Sequence, residues 1–144
     1  ACRIGGAYEG DFMPDLTGVD IQEMMINLSL GKEISYEKLK NYQLVNNDKW
    51  LSVQLFFAKP GIIKNMTPKE KIKKMKGVSQ IGYNFAVGDK INEIENATER
   101  AGYYIVKAKS KKELKERIAK VFDNLKILNE NGENLIIREI GEVL

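Results

Sequence analysis

Histidine is absent from this chain, and cysteine, tryptophan and proline are scarce: one Cys, one Trp and three Pro in 144 residues. The missing histidine removes the commonest general base and the commonest metal ligand together. With a single thiol besides, neither a zinc centre nor a Ser-His-Asp triad can be assembled from these residues alone. One cysteine also excludes a disulfide framework and fits a reducing cytoplasm, the expected location. No apolar run approaches the roughly 18 residues that span a bilayer, and no secretory pattern is present, so no membrane partner is expected. Charge of one sign is lacking too: 23 Lys and Arg against 20 Asp and Glu leave +3. Much of that excess sits in Lys69–Lys76, where no aromatics interleave with the lysines. It reads as a solvated helix face, and no nucleic-acid partner is expected.

What is present is enough for one domain that buries about two-thirds of its unfolded surface. The chain opens Ala1-Cys2-Arg3-Ile4-Gly5-Gly6 and continues to Asp11-Phe12-Met13-Pro14. An Arg with a glycine pair one residue beyond it can bring a cation and bare backbone N–H groups up to a phosphate or carboxylate. The segment therefore reads as the exit of an active-site loop in a longer enzyme; a flexible Gly-Gly leader is the plain alternative. Asp11, between two glycine-containing turns, is a candidate for lining a substrate cleft.

Further on, Leu16-Thr17-Gly18-Val19-Asp20 is expected to open the first helix, with Thr17 and Asp20 at capping-box spacing. Ile21, Met24, Met25 and Leu28 recur at the spacing of a buried stripe, and Gly31 supplies a stop. A short helix is expected over Ser35–Lys40. Trp50–Phe57 alternates, with Leu51, Val53, Leu55 and Phe57 on one side and Ser52 and Gln54 on the other, which predicts a half-buried strand. Trp50 and Tyr42 read as apolar anchors with a polar edge. Lys59-Pro60-Gly61 predicts a turn and Ile62–Lys64 a return strand. Thr67-Pro68-Lys69-Glu70 predicts a capped helix with Pro at its first position, ending at Gly77.

Val78–Phe85, Lys90–Ile94 and Gly102–Ala108 are the next expected strands. Ser110-Lys111-Lys112-Glu113 is a full capping box opening a helix with Leu114, Ile118, Val121, Phe122 and Leu125 on one face. Asn131-Gly132 then turns the chain into a last short strand, Leu135–Ile137. Strand-dominated pairing between capped helices predicts an α+β fold with a mainly antiparallel sheet and flanking helices.

This order of parts resembles the C-terminal lobe of an ATP-grasp enzyme, in particular the carboxylate–amine ligase branch, with L-amino-acid ligases and relatives of biotin carboxylase and carbamoyl-phosphate synthetase. The resemblance is carried by Arg3-Ile4-Gly5-Gly6, Asp11-Phe12-Met13-Pro14, Leu16-Thr17-Gly18-Val19-Asp20 and Ser29-Leu30-Gly31-Lys32. It is carried more loosely by Lys59-Pro60-Gly61-Ile62-Ile63-Lys64, Val87-Gly88-Asp89-Lys90-Ile91 and Arg100-Ala101-Gly102-Tyr103-Tyr104-Ile105-Val106. It implies a division into residues 1–31, the tail end of the catalytic domain, and 32–144, a C-terminal subdomain.

The resemblance also implies a reaction, in which ATP phosphorylates a carboxylate and an amine attacks the acyl phosphate. By it, Arg3 contacts the transferring phosphate or the substrate carboxylate, and Gly5 and Gly6 lie beside the acyl phosphate. Mg2+ and ATP are the implied cofactors of the whole enzyme. The family's metal-binding Glu, its phosphate-covering glycine loop and its nucleotide-binding lysines have no counterpart here, so the chain alone is expected to bind neither and to be inactive. The implied partners are the upstream ATP-grasp domain of the same polypeptide, a small carboxylate and an amine. A face bared by that domain's absence could also support a homodimer. The rival expectation is a free-standing α+β binding or interaction module without catalysis.

Overall fold

The computed structural model describes residues 4–40 and 49–137. Three helices come first: α1 (Glu9–Thr17), α2 (Ile21–Ser29) and the single turn α3 (Glu37–Lys40). Then follow β1 (Trp50–Phe56), β2 (Gly61–Ile62), β3 (Asn65–Met66), α4 (Lys69–Lys73), β4 (Val78–Tyr83) and β5 (Lys90–Ile91). A 3-10 turn at Ala97–Glu99 leads into β6 (Gly102–Ala108), α5 (Lys111–Asn124) and β7 (Ile127–Leu128). The strands form a three-stranded sheet, β1-β6-β4, and two small ladders, β2-β5 and β3-β7. All of these pairings are antiparallel, so the fold is α+β as expected.

The central strand β6 is covered on both faces, and its alternation decides what meets what. Tyr104, Val106 and Ala108 point to the main core with Leu114, Val121 and Leu125 from α5 and its end. The Tyr104 hydroxyl donates to the Ile118 carbonyl at 3.3 Å. Tyr103, Ile105 and Lys107 point the other way, opposite Leu55, Val53 and Leu51 of β1, and α1 lies over that face. The expected one-sided burial of β1 is thereby corrected. Leu51, Val53 and Leu55 do share a face, but the deepest residue of the strand is Phe56, at 1% exposure on the opposite face. Ser52 and Gln54 are half-buried, with the Gln54 amide donating to the Ser52 hydroxyl at 2.7 Å.

Several local expectations are also revised. The first helix is α1, where a glycine-led loop was expected; Gly10 and Pro14 both weigh against helix, and contacts with the sheet override them. Thr17 ends α1 instead of starting a helix: its hydroxyl donates to the Met13 carbonyl at 2.7 Å and accepts from Val19 N–H at 3.0 Å. Asp20 is the cap of α2, accepting from Glu23 N–H at 2.9 Å. The α2 stripe is not buried, since Met25 and Leu28 are exposed. Gly31 does stop the chain in the left-handed region, at φ 67°.

β2 pairs with β5 and does not fold back on β1. Thr67 caps no helix. Its hydroxyl donates to the Asn124 carbonyl at 3.0 Å and accepts from Lys126 N–H at 2.9 Å, tying the start of α4 to the end of α5. Ser110 caps α5 as expected, accepting from Glu113 N–H at 3.2 Å, while Glu113 reaches back one residue further, to Lys109 N–H at 2.9 Å. That backbone donor, followed by Arg117 and Lys76, holds the Glu113 carboxyl below its ordinary range. The final segment makes a bridge, Ala58 to Ile136, in place of a full strand. Trp50 is 42% exposed, a partial anchor at best, and Tyr42 lies outside the described residues.

Candidate functional site: the cluster beneath α1

The residues expected to meet substrate enter the fold through α1. Gly5 and Gly6 are exposed just ahead of it. Beside Gly5 lies the Glu9 carboxylate, which a Cβ there would displace; it curls back to accept from Ala7 N–H at 2.8 Å. Gly6 faces open space. Asp11 sits inside the first turn of the helix, not in a loop between turns. Arg3 lies outside the described residues.

What anchors this end of α1 is an aromatic and polar cluster on the sheet. Tyr8 precedes the helix at φ 70°, a left-handed conformation that costs a residue with a side chain about 1–2 kcal/mol. Its ring stacks on Tyr103 of β6 with centroids 3.7 Å apart and planes 21° from parallel, a contact of about 0.5–1.5 kcal/mol that offsets much of that strain. The Tyr8 hydroxyl accepts from Arg100 Nε at 3.1 Å. Arg100 also donates from Nη1 to the Ala97 carbonyl at 3.3 Å.

Below the stack, the Tyr103 hydroxyl donates to Gln80 Oε1 at 3.2 Å. The Gln80 amide then donates to Asp11 Oδ1 at 3.2 Å. Burial, then the Asp11 charge, then Tyr8 raise the Tyr103 pKa, so its hydroxyl remains the proton donor of the chain. Gly82, paired with Tyr103 across the sheet, leaves the floor on which that ring lies; a Cβ there would collide with the ring. At the other end of α1, Asp15 meets Lys107 at 2.9 Å.

Of the expected site residues, the structure thus places Gly5, Gly6 and Asp11 at one end of one helix. It adds Tyr8 and Gln80, which the sequence did not single out, and Arg100 and Tyr103, which entered only through the looser resemblance and with no site role. Their contacts join residues 69 and 92 positions apart, and no local spacing signals them. An open recess of about 210 Å³ lies between α1 and β1, against Asp15, Leu16, Trp50 and Lys107. Another of about 230 Å³ lies along α5. Both fall short of the roughly 300 Å³ at which ligand pockets begin. Among the described residues no three Asp, Glu, His or Cys side chains converge as a metal site, and no helix is long and apolar enough to cross a membrane.

This antiparallel α+β lobe agrees with the architecture that the resemblance to the C-terminal portion of an ATP-grasp ligase implied. Residues 54–130 match the family described as L-amino acid ligase C-terminal domain 2, and the chain belongs to that family. Its fold is similar to the crystal structure of phosphoribosylglycinamide synthetase from Anaerococcus prevotii, with TM-score 0.70 and 18% identity over 89% of this chain and 32% of that one. It is similar as well to the crystal structure of L-amino acid ligase from Bacillus licheniformis, with TM-score 0.70 and 16% identity over 91% of this chain and 33% of that one. At these identities the likeness is one of fold, and the chain spans about a third of the length of either protein. No curated protein matches it. The matched segment contains Gln80, Arg100 and Tyr103, whereas Tyr8 and Asp11 precede it.

Proposed function

We propose that this chain is the C-terminal part of an ATP-dependent carboxylate–amine ligase and that its Arg3–Gly6 segment forms part of the substrate cleft. The family match over residues 54–130 supports the ligase part of this reading; the role of Arg3–Gly6 rests on the resemblance of that segment alone. In such a reaction a substrate carboxylate oxygen takes a phosphoryl group from ATP, releasing ADP. An amine then attacks the acyl carbon, and phosphate leaves as the amide forms. The part given to this chain is electrostatic. The planar guanidinium of Arg3 pairs with a carboxylate or phosphoryl oxyanion; Gly6, which faces open space, lets backbone approach it without a side chain intervening, and Gly5 does so once the Glu9 carboxylate beside it swings away.

In this reading metal and nucleotide are held by an upstream ATP-grasp domain of the same polypeptide, as the resemblance implies; among the described residues no three Asp, Glu, His or Cys side chains converge. Residues 1–31 are the tail of that domain and 32–144 the subdomain proper, although α1 is bound to the subdomain's sheet. The exposed apolar side of α2 is the surface for the upstream partner or for a second copy of the chain.

Arg3→Ala in the complete ligase tests the reading. ADP release is expected to fall by about a hundredfold or more, as when an oxyanion partner is removed, with the thermal midpoint unchanged. A rate equal to the parent's removes Arg3 from the mechanism. Isothermal titration of the 144-residue chain with Mg-ATP separates the rival reading: stoichiometric binding there would favour a free-standing module.

A further inference from the structure

Arg100 and Tyr103 touch no expected substrate-binding residue directly, yet both converge on Tyr8, the residue immediately before α1, which Ala7 joins to the glycine pair. We propose that they are positioning residues: together they hold Tyr8 in its left-handed conformation and so set the direction in which Gly5 and Gly6 leave the sheet. This rests on the reading above, in which the Arg3–Gly6 segment meets substrate.

Three observations converge on it. Tyr8 is the one described residue other than glycine with positive φ, at 70°. An L-residue keeps such a conformation when its surroundings over-determine it. The surroundings here are a stacked ring at 3.7 Å and an Arg100 donor at 3.1 Å, on a side chain 92 positions away. Second, the Tyr8 carbonyl accepts from Asp11 N–H at 2.9 Å and Phe12 N–H at 3.1 Å, so the same residue starts the helix. Third, Tyr103 is itself held from below by Gln80 and given its place by Gly82. Rotation of Tyr8 to the common negative-φ region would break the stack and swing the glycine segment away from its present course.

Hydrogen exchange in the 144-residue chain, coupled with kinetics of the complete ligase, tests this. Arg100→Ala is expected to speed exchange of the Asp11 and Phe12 amides about tenfold or more, with Ala101 and Lys107, bonded within the sheet region, unchanged as controls. In the ligase it is expected to lower kcat about tenfold with KM for ATP unaltered, the signature of a misplaced group. Arg100→Lys, still able to donate to the Tyr8 hydroxyl, recovers most of the rate. Tyr8→Phe, which keeps the stack and the Arg100 guanidinium 5.4 Å from the ring centroid but loses the acceptor, shows part of the Arg100→Ala effect, and the double variant is no worse than Arg100→Ala alone.

Unchanged exchange at Asp11 and Phe12 overturns the proposal. Faster exchange with unaltered kcat overturns it too, and a large loss in Arg3→Ala of the same ligase would then leave the reading of the reaction standing. An unaffected Arg3→Ala removes that reading and this proposal with it.

Discussion

α2 and α5 are both amphipathic and both capped by an oxygen that accepts from the N–H three residues on, yet they have opposite fates. α5 buries Leu114 and Val121 against the sheet, and the residue that ends it, Leu125, is 1% exposed. α2 buries nothing: Ile26, Leu28 and Leu30 are 58%, 60% and 64% exposed. The difference lies in what arrives opposite each stripe. α5 follows β6 directly and packs back over the sheet that strand centres, whereas α2 follows α1, whose half-buried sheet-facing side is already committed, through Tyr8 just ahead of it and Asp15 within it, to Tyr103 and Lys107. An apolar stripe predicts a face that wants cover; the cover itself comes from elsewhere in the fold or from a partner.

The strongest way to break this contrast is in the body. Phe56→Ala is expected to cost about 3–5 kcal/mol, because the ring is 1% exposed and packs on Tyr83 and Tyr104. Denaturant titration measures it, and a loss below about 1 kcal/mol would mean that the body is no better packed than the helical arm.

A smaller effect is expected at alkaline pH. Burial pushes the Tyr83 hydroxyl up to about 12 from an ordinary 10.0, and it donates to the Thr67 carbonyl at 2.7 Å. Above pH 10 the unfolded chain loses that proton first, so this stabilisation is complete below pH 10 and disappears as pH rises through about 12. A melting series over that range should fall less steeply in Tyr83→Phe than in the parent. Equal slopes would show that this hydroxyl does not contribute.

The smallest effect is expected on the arm. Leu28→Ser should shift the stability of the chain by no more than about 0.5 kcal/mol in either direction, read by the same titration. A loss above about 1 kcal/mol would mean that the stripe is covered after all. If the stripe docks on an upstream domain, the substitution should instead destabilise the complete ligase, which would sharpen the contrast.

Much of the body was legible from local pattern. The Ser110 box and its apolar face marked α5, and the runs at Trp50, Val78 and Gly102 marked the three strands of the sheet within a few residues. α1 was not legible, because Gly10 and Pro14 are both poor helix formers and the contacts that outweigh them come from residues far along the chain. The pairing of β2 with β5 was hidden for a similar reason: a Pro-Gly turn signals a change of direction without naming the strand that will be met. At the candidate site, Gly5, Gly6 and Asp11 stood out by type and position. Tyr8, Gln80, Arg100 and Tyr103 looked like ordinary loop and strand residues.

The sequence by itself determined the capped helix α5 and the three main strands, since each rests on spacing within one short segment, and also the α+β class and the likeness to an ATP-grasp ligase, which rest on the order of those segments along the chain. Tertiary structure decided which stripes are buried, which strand β2 meets and that Tyr8 stands between Arg100 and Tyr103. Periodicity is set within a few residues of chain, whereas burial and pairing depend on which distant surfaces the fold brings together.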